Sequence, residues 1–237
     1  MLPTLPLWLY LLFGLTTALA VGLFYLAAHR SGRALAVVLA WLLVQSALSL
    51  SGFYTVTTAM PPRLAFALGP PLLLLLSRLA TARGRAFLAS LRLAMLTLLH
   101  VVRLPVELGL YGLFLHGAVP RIMTFEGGNW DILMGLSAPL LYWLVRRQRV
   151  GRWGLVGWNV LGLGLLSNIV AVAVLSAPSP VQRLAFEQPN VALLHFPFGW
   201  LPAVLVPLVL LAHVAALWQL LGKSALLQRA RPASPIA

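Results

Sequence analysis

His100, Arg103 and Glu107 stand at positions i, i+3 and i+7 of an apolar run, Thr97-Leu98-Leu99-His100-Val101-Val102-Arg103-Leu104-Pro105-Val106-Glu107. On a helix this spacing brings all three to one face. An imidazole exchanges protons near neutral pH, a carboxylate serves as general acid or base, and a guanidinium holds anions. Together they could move a proton, bind an anionic group or stabilise an anionic intermediate. They could also only pair, Glu107 with Arg103 one turn away, and fasten one helix to its neighbours. Pro105 cannot donate to the carbonyl of Val101, so a kink with an exposed acceptor is expected there.

The setting makes these residues costly. The chain has 237 residues, of which 61% are hydrophobic and 9% charged, against about 25% charged in soluble domains. Its mean hydropathy is +0.94. Apolar runs of roughly 18 or more residues read as transmembrane helices, and here they follow one another with short gaps. The expected class is all-α, a polytopic transmembrane helical bundle. An arginine at the bilayer centre costs from about 3 kcal/mol to above 10 kcal/mol, so ionisable residues at that depth mark a site by default.

Seven spans fit: about Leu5 to Ala27, Ala34 to Tyr54, Leu64 to Ala80, Phe87 to Leu115, Trp130 to Val145, Gly154 to Leu175 and Val191 to Leu221. The spans form one domain, residues 1–222, followed by a short basic tail, 223–237, expected to be disordered and cytoplasmic. Ala18 and Ala20 suggest a cleavage site, yet the run lacks a basic start and continues past it, so it reads as a retained span.

Basic residues alternate between the gaps. Arg30 and Arg33; Arg78, Arg83, Arg85 and Arg92; Arg146, Arg147, Arg149 and Arg152; and the tail residues Lys223, Arg229 and Arg231 fall on one side. Arg63, Arg121 and Arg183 fall singly on the other. By the positive-inside rule the N-terminus is outside and the C-terminus inside. The net charge of +13 then sits mainly on the cytoplasmic face. That pattern fits topology determination or attraction to anionic lipids, and the absence of a soluble domain argues against nucleic acid. Trp8, Tyr10, Trp130, Trp153 and Trp200 near span ends suggest an aromatic belt.

His213 is the expected partner of the cluster from another helix, since its depth in the seventh span matches that of His100. Asn159 and Asn168 in the sixth span are candidate supporting groups. At the outer mouth, Thr124, Glu126, Asn129 and Asp131 surround a Gly127-Gly128 turn, with His116 and His195 at similar depth. They suit either a cation or polar-ligand site or an N-cap on the fifth span by Asn129 or Asp131. The histidine pairs on the fourth and seventh spans also admit a b-type haem reading. No metal-binding spacing is matched, and the lack of cysteine excludes thiolate sites and disulfides. A retinal Schiff base needs a lysine deep in the seventh helix, and Lys223 is the only lysine. Pro197, Pro202 and Pro207 suggest a broken or re-entrant entry to the seventh span.

The segments RLPVELGLYGLFL, MTFEGGNWDILMGLSAP, LAFEQPN and FPFGWLP resemble a family of uncharacterised bacterial multi-pass integral membrane proteins. The resemblance implies a bacterial cytoplasmic membrane and carries over no catalytic or binding residue. Three readings stand: a transporter or ligand-binding membrane protein with His100, Arg103, Glu107 and His213 at its centre; an intramembrane enzyme acting on a lipid or quinone; and a structural or assembly subunit.

Overall fold

The computed structural model describes residues 4–222, so the expected tail at 223–237 lies outside the described residues. Among the described residues nine α-helices follow in order: α1 (Leu7–Ala27), α2 (Gly32–Leu50), α3 (Ala65–Ala80), α4 (Ala82–Ser90), α5 (Leu93–Leu99), α6 (Arg103–Leu115), α7 (Asp131–Arg146), α8 (Arg152–Ser176) and α9 (Val206–Leu221). No strand occurs among the described residues.

Five helical stretches among the described residues are long and apolar enough to cross a membrane: α1, α2, α5 with α6 (Leu93–Leu115), α8, and Leu201–Leu221. The bent pair α3 and α4, with 100° between them, makes a sixth if it crosses as one broken span. The expected third and fifth spans are helices of 16 residues each. At about 1.5 Å per residue such a helix covers about 24 Å, short of a hydrocarbon core of about 30 Å. The expected fourth span begins late because its first residues, Phe87 to Ser90, belong to α4.

The exterior of the bundle is apolar, unlike that of a soluble protein, and a small polar cluster is enclosed within an apolar core. Leu7, Leu15, Leu43, Leu50, Leu73 and Trp153 are exposed, whereas His100, Arg103, Glu107, Asn129, Asp131, Asn159 and His213 are buried. Such an exterior suits lipid, which offers no hydrogen bonds and leaves polar groups to be satisfied within the protein. The residues of the expected aromatic belt differ in exposure. Trp8, Trp130 and Trp153 are exposed, but Tyr10 packs against Phe198 at 5.2 Å and the Trp200 indole donates to Ser46 Oγ at 3.0 Å.

The segment α5–α6 runs through the centre, packed against α1, α7 and α9, while α8 lies against α7 and α9. Helix α2 is peripheral, with only Gln45 and Ser49 fully buried. Prolines inside these helices free carbonyls four residues back, and side chains of α2 answer two of them. Pro207 frees the Ala203 carbonyl, which accepts the Trp41 indole N–H at 2.9 Å. Pro70 frees that of Phe66, which accepts from Gln45 Nε2 at 3.5 Å. At Pro105 the chain adjusts instead by a single 3₁₀ turn, His100–Val102, between α5 and α6. The expected broken or re-entrant entry to the last span is corrected: Leu201–Leu221 is one continuous helical stretch whose first turn, Leu201–Leu205, is π-helical.

The loop ends are tied down by amides. Gln188 Nε2 donates to the carbonyls of Val119 at 2.6 Å and Phe114 at 3.1 Å, and Asn190 Nδ2 donates to Ala173 at 3.1 Å. In the second loop, the Tyr54 hydroxyl donates to Gln45 Oε1 at 2.5 Å. Burial pushes that phenol up to about 12, with the Gln45 bond acting against the shift, so it stays a donor.

Candidate buried polar site

Arg103 opens α6 immediately after the 3₁₀ turn, so its guanidinium points across the bundle rather than up its own helix. Its Nη2 donates to the carbonyl of Gly162 in α8 at 3.0 Å, and its Nη1 lies 3.5 Å from Asp131 Oδ1, at the start of α7. The close approach to α8 depends on Gly162 having no side chain. A Cβ there would lie 2.5 Å from His213 Cε1. Gly135 similarly lets α7 approach α6, since a Cβ would lie 2.6 Å from the Leu104 nitrogen.

The expected pairing of Arg103 with Glu107 is therefore corrected. Among the described residues the ion pairs within 4 Å are Arg103 with Asp131 and the exposed Arg121 with Glu126, at 3.9 Å. Glu107 turns instead to a neutral partner, accepting from Asn129 Nδ2 at 2.5 Å. The same amide donates to the Met123 carbonyl at 3.1 Å, and Asn129 Oδ1 accepts the Asp131 backbone N–H at 3.3 Å. Two 3₁₀ turns (Arg121–Met123 and Phe125–Gly127) and a left-handed Gly128, φ +96°, fold this loop inward. Glycine suits that φ because a Cβ would be strained there.

The outer-mouth group accordingly divides. Asn129 and Asp131 are buried and belong to the central cluster. Glu126 stays exposed beside Arg121. The His116 and His195 rings each hydrogen bond a carbonyl four residues back, Gly112 at 2.8 Å and Val191 at 3.1 Å. Asn168 is exposed and does not support the cluster. It lies nine residues beyond buried Asn159, a rotation of about 180° at 3.6 residues per turn. The inward role of Asp131 was not evident from its position near a loop. Its usable signal is the shortness of α7, which starts the helix beside α6 rather than above it.

His100 and His213 do meet. Their rings stack with centroids 4.0 Å apart and planes 30° from parallel. Trp158 presents its ring edge-on to His100 at 5.1 Å, and its indole donates to Ser137 Oγ at 3.0 Å. His213 Nδ1 bonds Asn159 Oδ1 at 3.0 Å, while Asn159 Nδ2 donates to the Leu155 carbonyl at 2.8 Å. Neither nitrogen of His100, nor Nε2 of His213, has a partner. Face-to-face rings at this distance leave no plane for a haem iron between two imidazole nitrogens. The haem reading does not fit this pair. No group of three or more His, Asp or Glu suited to a metal ion occurs among the described residues.

Arg103, Glu107 and Asp131 border a cavity of about 60 Å³ whose other walls are apolar, including Val106, Leu166 and Val209. One water needs about 10–15 Å³ by this kind of measure, so a few waters or a small solute fit. A second cavity, about 360 Å³, lies beside Tyr54, Arg63 and Ser179. Leu64, Leu68 and Val174 line both, so apolar side chains alone form the shared wall.

Comparison with curated proteins and with solved structures gives no match. The model of the family described as "Domain of unknown function (DUF8737)" matches residues 61–221, which take in every residue of the buried cluster and the shared wall. The chain belongs to that family.

Proposed function

We propose that this chain is a bacterial cytoplasmic-membrane protein that binds a small polar or ionic solute at its centre and carries it across. The observation that carries the reading is the cavity bordered by Arg103, Glu107 and Asp131 within an otherwise apolar wall. Ionisable residues buried at membrane depth mark substrate or ion pathways, and this cavity shares its wall with a larger one. The bacterial location rests on the resemblance of the sequence segments. In the orientation favoured by the basic loops, the N-terminus is outside, the larger cavity opens outward, and α3 and α7 cross as short helices to make seven spans.

The test keeps the polar cluster intact and fills the shared wall. Wild-type protein in detergent is screened by thermal denaturation against small carboxylates, phosphate, amines and alkali ions. A solute that raises Tm is then followed into proteoliposomes. Leu68→Trp and Val174→Trp are expected to retain the solute-free Tm within a few degrees while losing both the solute-induced shift and uptake. Absence of any shift or uptake in the wild type would sink the proposal and favour an assembly subunit. Chemical turnover of an added lipid or quinone would instead favour the enzyme reading.

A further inference from the structure

The charges around the cavity do not balance. Arg103, Glu107 and Asp131 are the charged side chains that border it, with relative exposures of 3%, 1% and 5%. One guanidinium and two ionised carboxylates leave a net charge of −1 in a space otherwise lined by apolar residues. The two carboxylates are also unequal. Asp131 Oδ1 lies 3.5 Å from the Arg103 guanidinium, an ion-pair contact without a hydrogen bond, whereas Glu107 has no cation within 4 Å among the described residues and only the amide of Asn129 on Oε1. Its Oε2 is buried without a partner. Burying a bare carboxylate is among the most costly things a protein interior can do, and neutralisation is the usual escape.

We propose that Glu107 is a proton-binding site, carrying one exchangeable proton on Oε2 and presenting a neutral carboxyl group to the cavity. This extends the solute-site reading of the same cavity and rests on it for access from the larger cavity. The missing charge could also come from an alkali cation, but such an ion needs several oxygen ligands. Around Glu107 there are few. α6 supplies the Arg103 cation and no further oxygen, the loop before α7 supplies the Asn129 amide and the Met123 carbonyl bonded to it, and α7 supplies the Asp131 carboxylate. His100 and His213 lie on the far side of Arg103, and α8 contributes the Gly162 carbonyl, already bonded to Arg103. A proton needs no such shell.

The arrangement gives the proton a use. The carboxyl O–H can donate to an acceptor on a solute in the cavity. Arg103 stands one helical turn from Glu107. Were its guanidinium to turn from Asp131 to Glu107, the Glu107 proton would pass through cavity water to the Asp131 carboxylate that the guanidinium leaves, and the net charge would stay at zero. Occupancy of the site by solute and the position of its proton would thereby be linked.

Infrared spectroscopy reads this directly, because a protonated carboxyl has a C=O stretch distinct from a carboxylate's. The chain has four acids, Glu107, Glu126, Asp131 and Glu187, and Glu126 and Glu187 are exposed. Protein labelled with carboxyl-13C glutamate is expected to show one label-shifted protonated-carboxyl band at neutral pH, moved again in D2O. Glu107→Gln should lose it, and if that variant fails to fold, the isotope shift in the wild type still assigns the band to glutamate. No label-sensitive protonated band at neutral pH overturns the proposal. A Tm that rises with Na+ but not K+ in its place would show a metal cation as the occupant. A band without any solute-induced shift or uptake would uphold the proton site while removing the transport reading.

Discussion

The buried cluster has two halves that Arg103 separates, and they are satisfied in opposite ways. On one side, Arg103 and Asp131 are drawn together by charge at 3.5 Å, and Glu107 is left to the amide of Asn129. On the other, His100, His213, Asn159 and Trp158 are held by ring contacts and one amide bond. The first half is fixed by long-range attraction and is intolerant of losing a partner. The second is fixed by shape and tolerates apolar replacement better. A single helix face, His100 to Glu107, thus carries a rigid electrostatic end and a packed aromatic end.

The largest effect should follow from breaking the ion pair. Arg103→Met leaves the Asp131 carboxylate buried and uncompensated, and removing one member of a buried pair costs about 3–5 kcal/mol. Loss of folded protein in mild detergent, or a large fall in Tm, is the expected outcome. The double variant Arg103→Met with Asp131→Asn removes both charges and should recover most of the loss. If the double variant is no more stable than Arg103→Met, the pair is not what the guanidinium contributes.

The two carboxylates provide the next contrast. Asp131→Asn strips Arg103 of its counter-charge and should cost several kcal/mol, near the lower end of the same range, about 3 kcal/mol. Glu107→Gln exchanges one neutral hydrogen-bonding group for another if the carboxyl already holds a proton, and should cost less than about 1 kcal/mol. Equal losses of Tm in the two variants would contradict the inequality of the acids. Between the halves, Gly162→Ala places a Cβ against His213 and Met134. Overpacking of this kind typically costs about 1–3 kcal/mol, a smaller fall in Tm than for Asp131→Asn.

Both halves were partly legible in the sequence, for different reasons. The placing of His100, Arg103 and Glu107 on one face needed only helical periodicity, and matched depth on oppositely directed spans singled out His213 as a candidate partner for His100, the lateral order of the helices being supplied by the fold. What could not be read was direction. Glu107 sits one turn from Arg103, the ideal spacing for an intrahelical pair, yet the short α7 delivers Asp131 and the folded 121–130 loop delivers Asn129, each from another element. Asn168 failed as a supporting residue for a simpler reason, being half a rotation from Asn159. Span number was blurred by helices of 16 residues and by the 100° bend after α3, since hydropathy reads apolar length and not where a backbone turns.

The smallest effect should come from His100, and its sign is informative. Neither ring nitrogen has a partner, so the buried imidazole gains packing from Trp158 and His213 but satisfies no hydrogen bond of its own. A partnerless buried polar group costs about 1–3 kcal/mol, and an apolar group of similar shape avoids that cost. His100→Phe keeps the aromatic contacts and adds some volume, which offsets part of the gain. Its Tm should therefore be unchanged or up by a few degrees, unlike those of Arg103→Met, Asp131→Asn and Gly162→Ala. Were the histidine retained for what it does with a solute or a proton, that same variant would lose solute-induced stabilisation while the fold stood firm. A clear fall in its solute-free Tm would instead mean that the ring makes a polar contact essential to the fold, and the aromatic half would have to be regarded as held by hydrogen bonding after all.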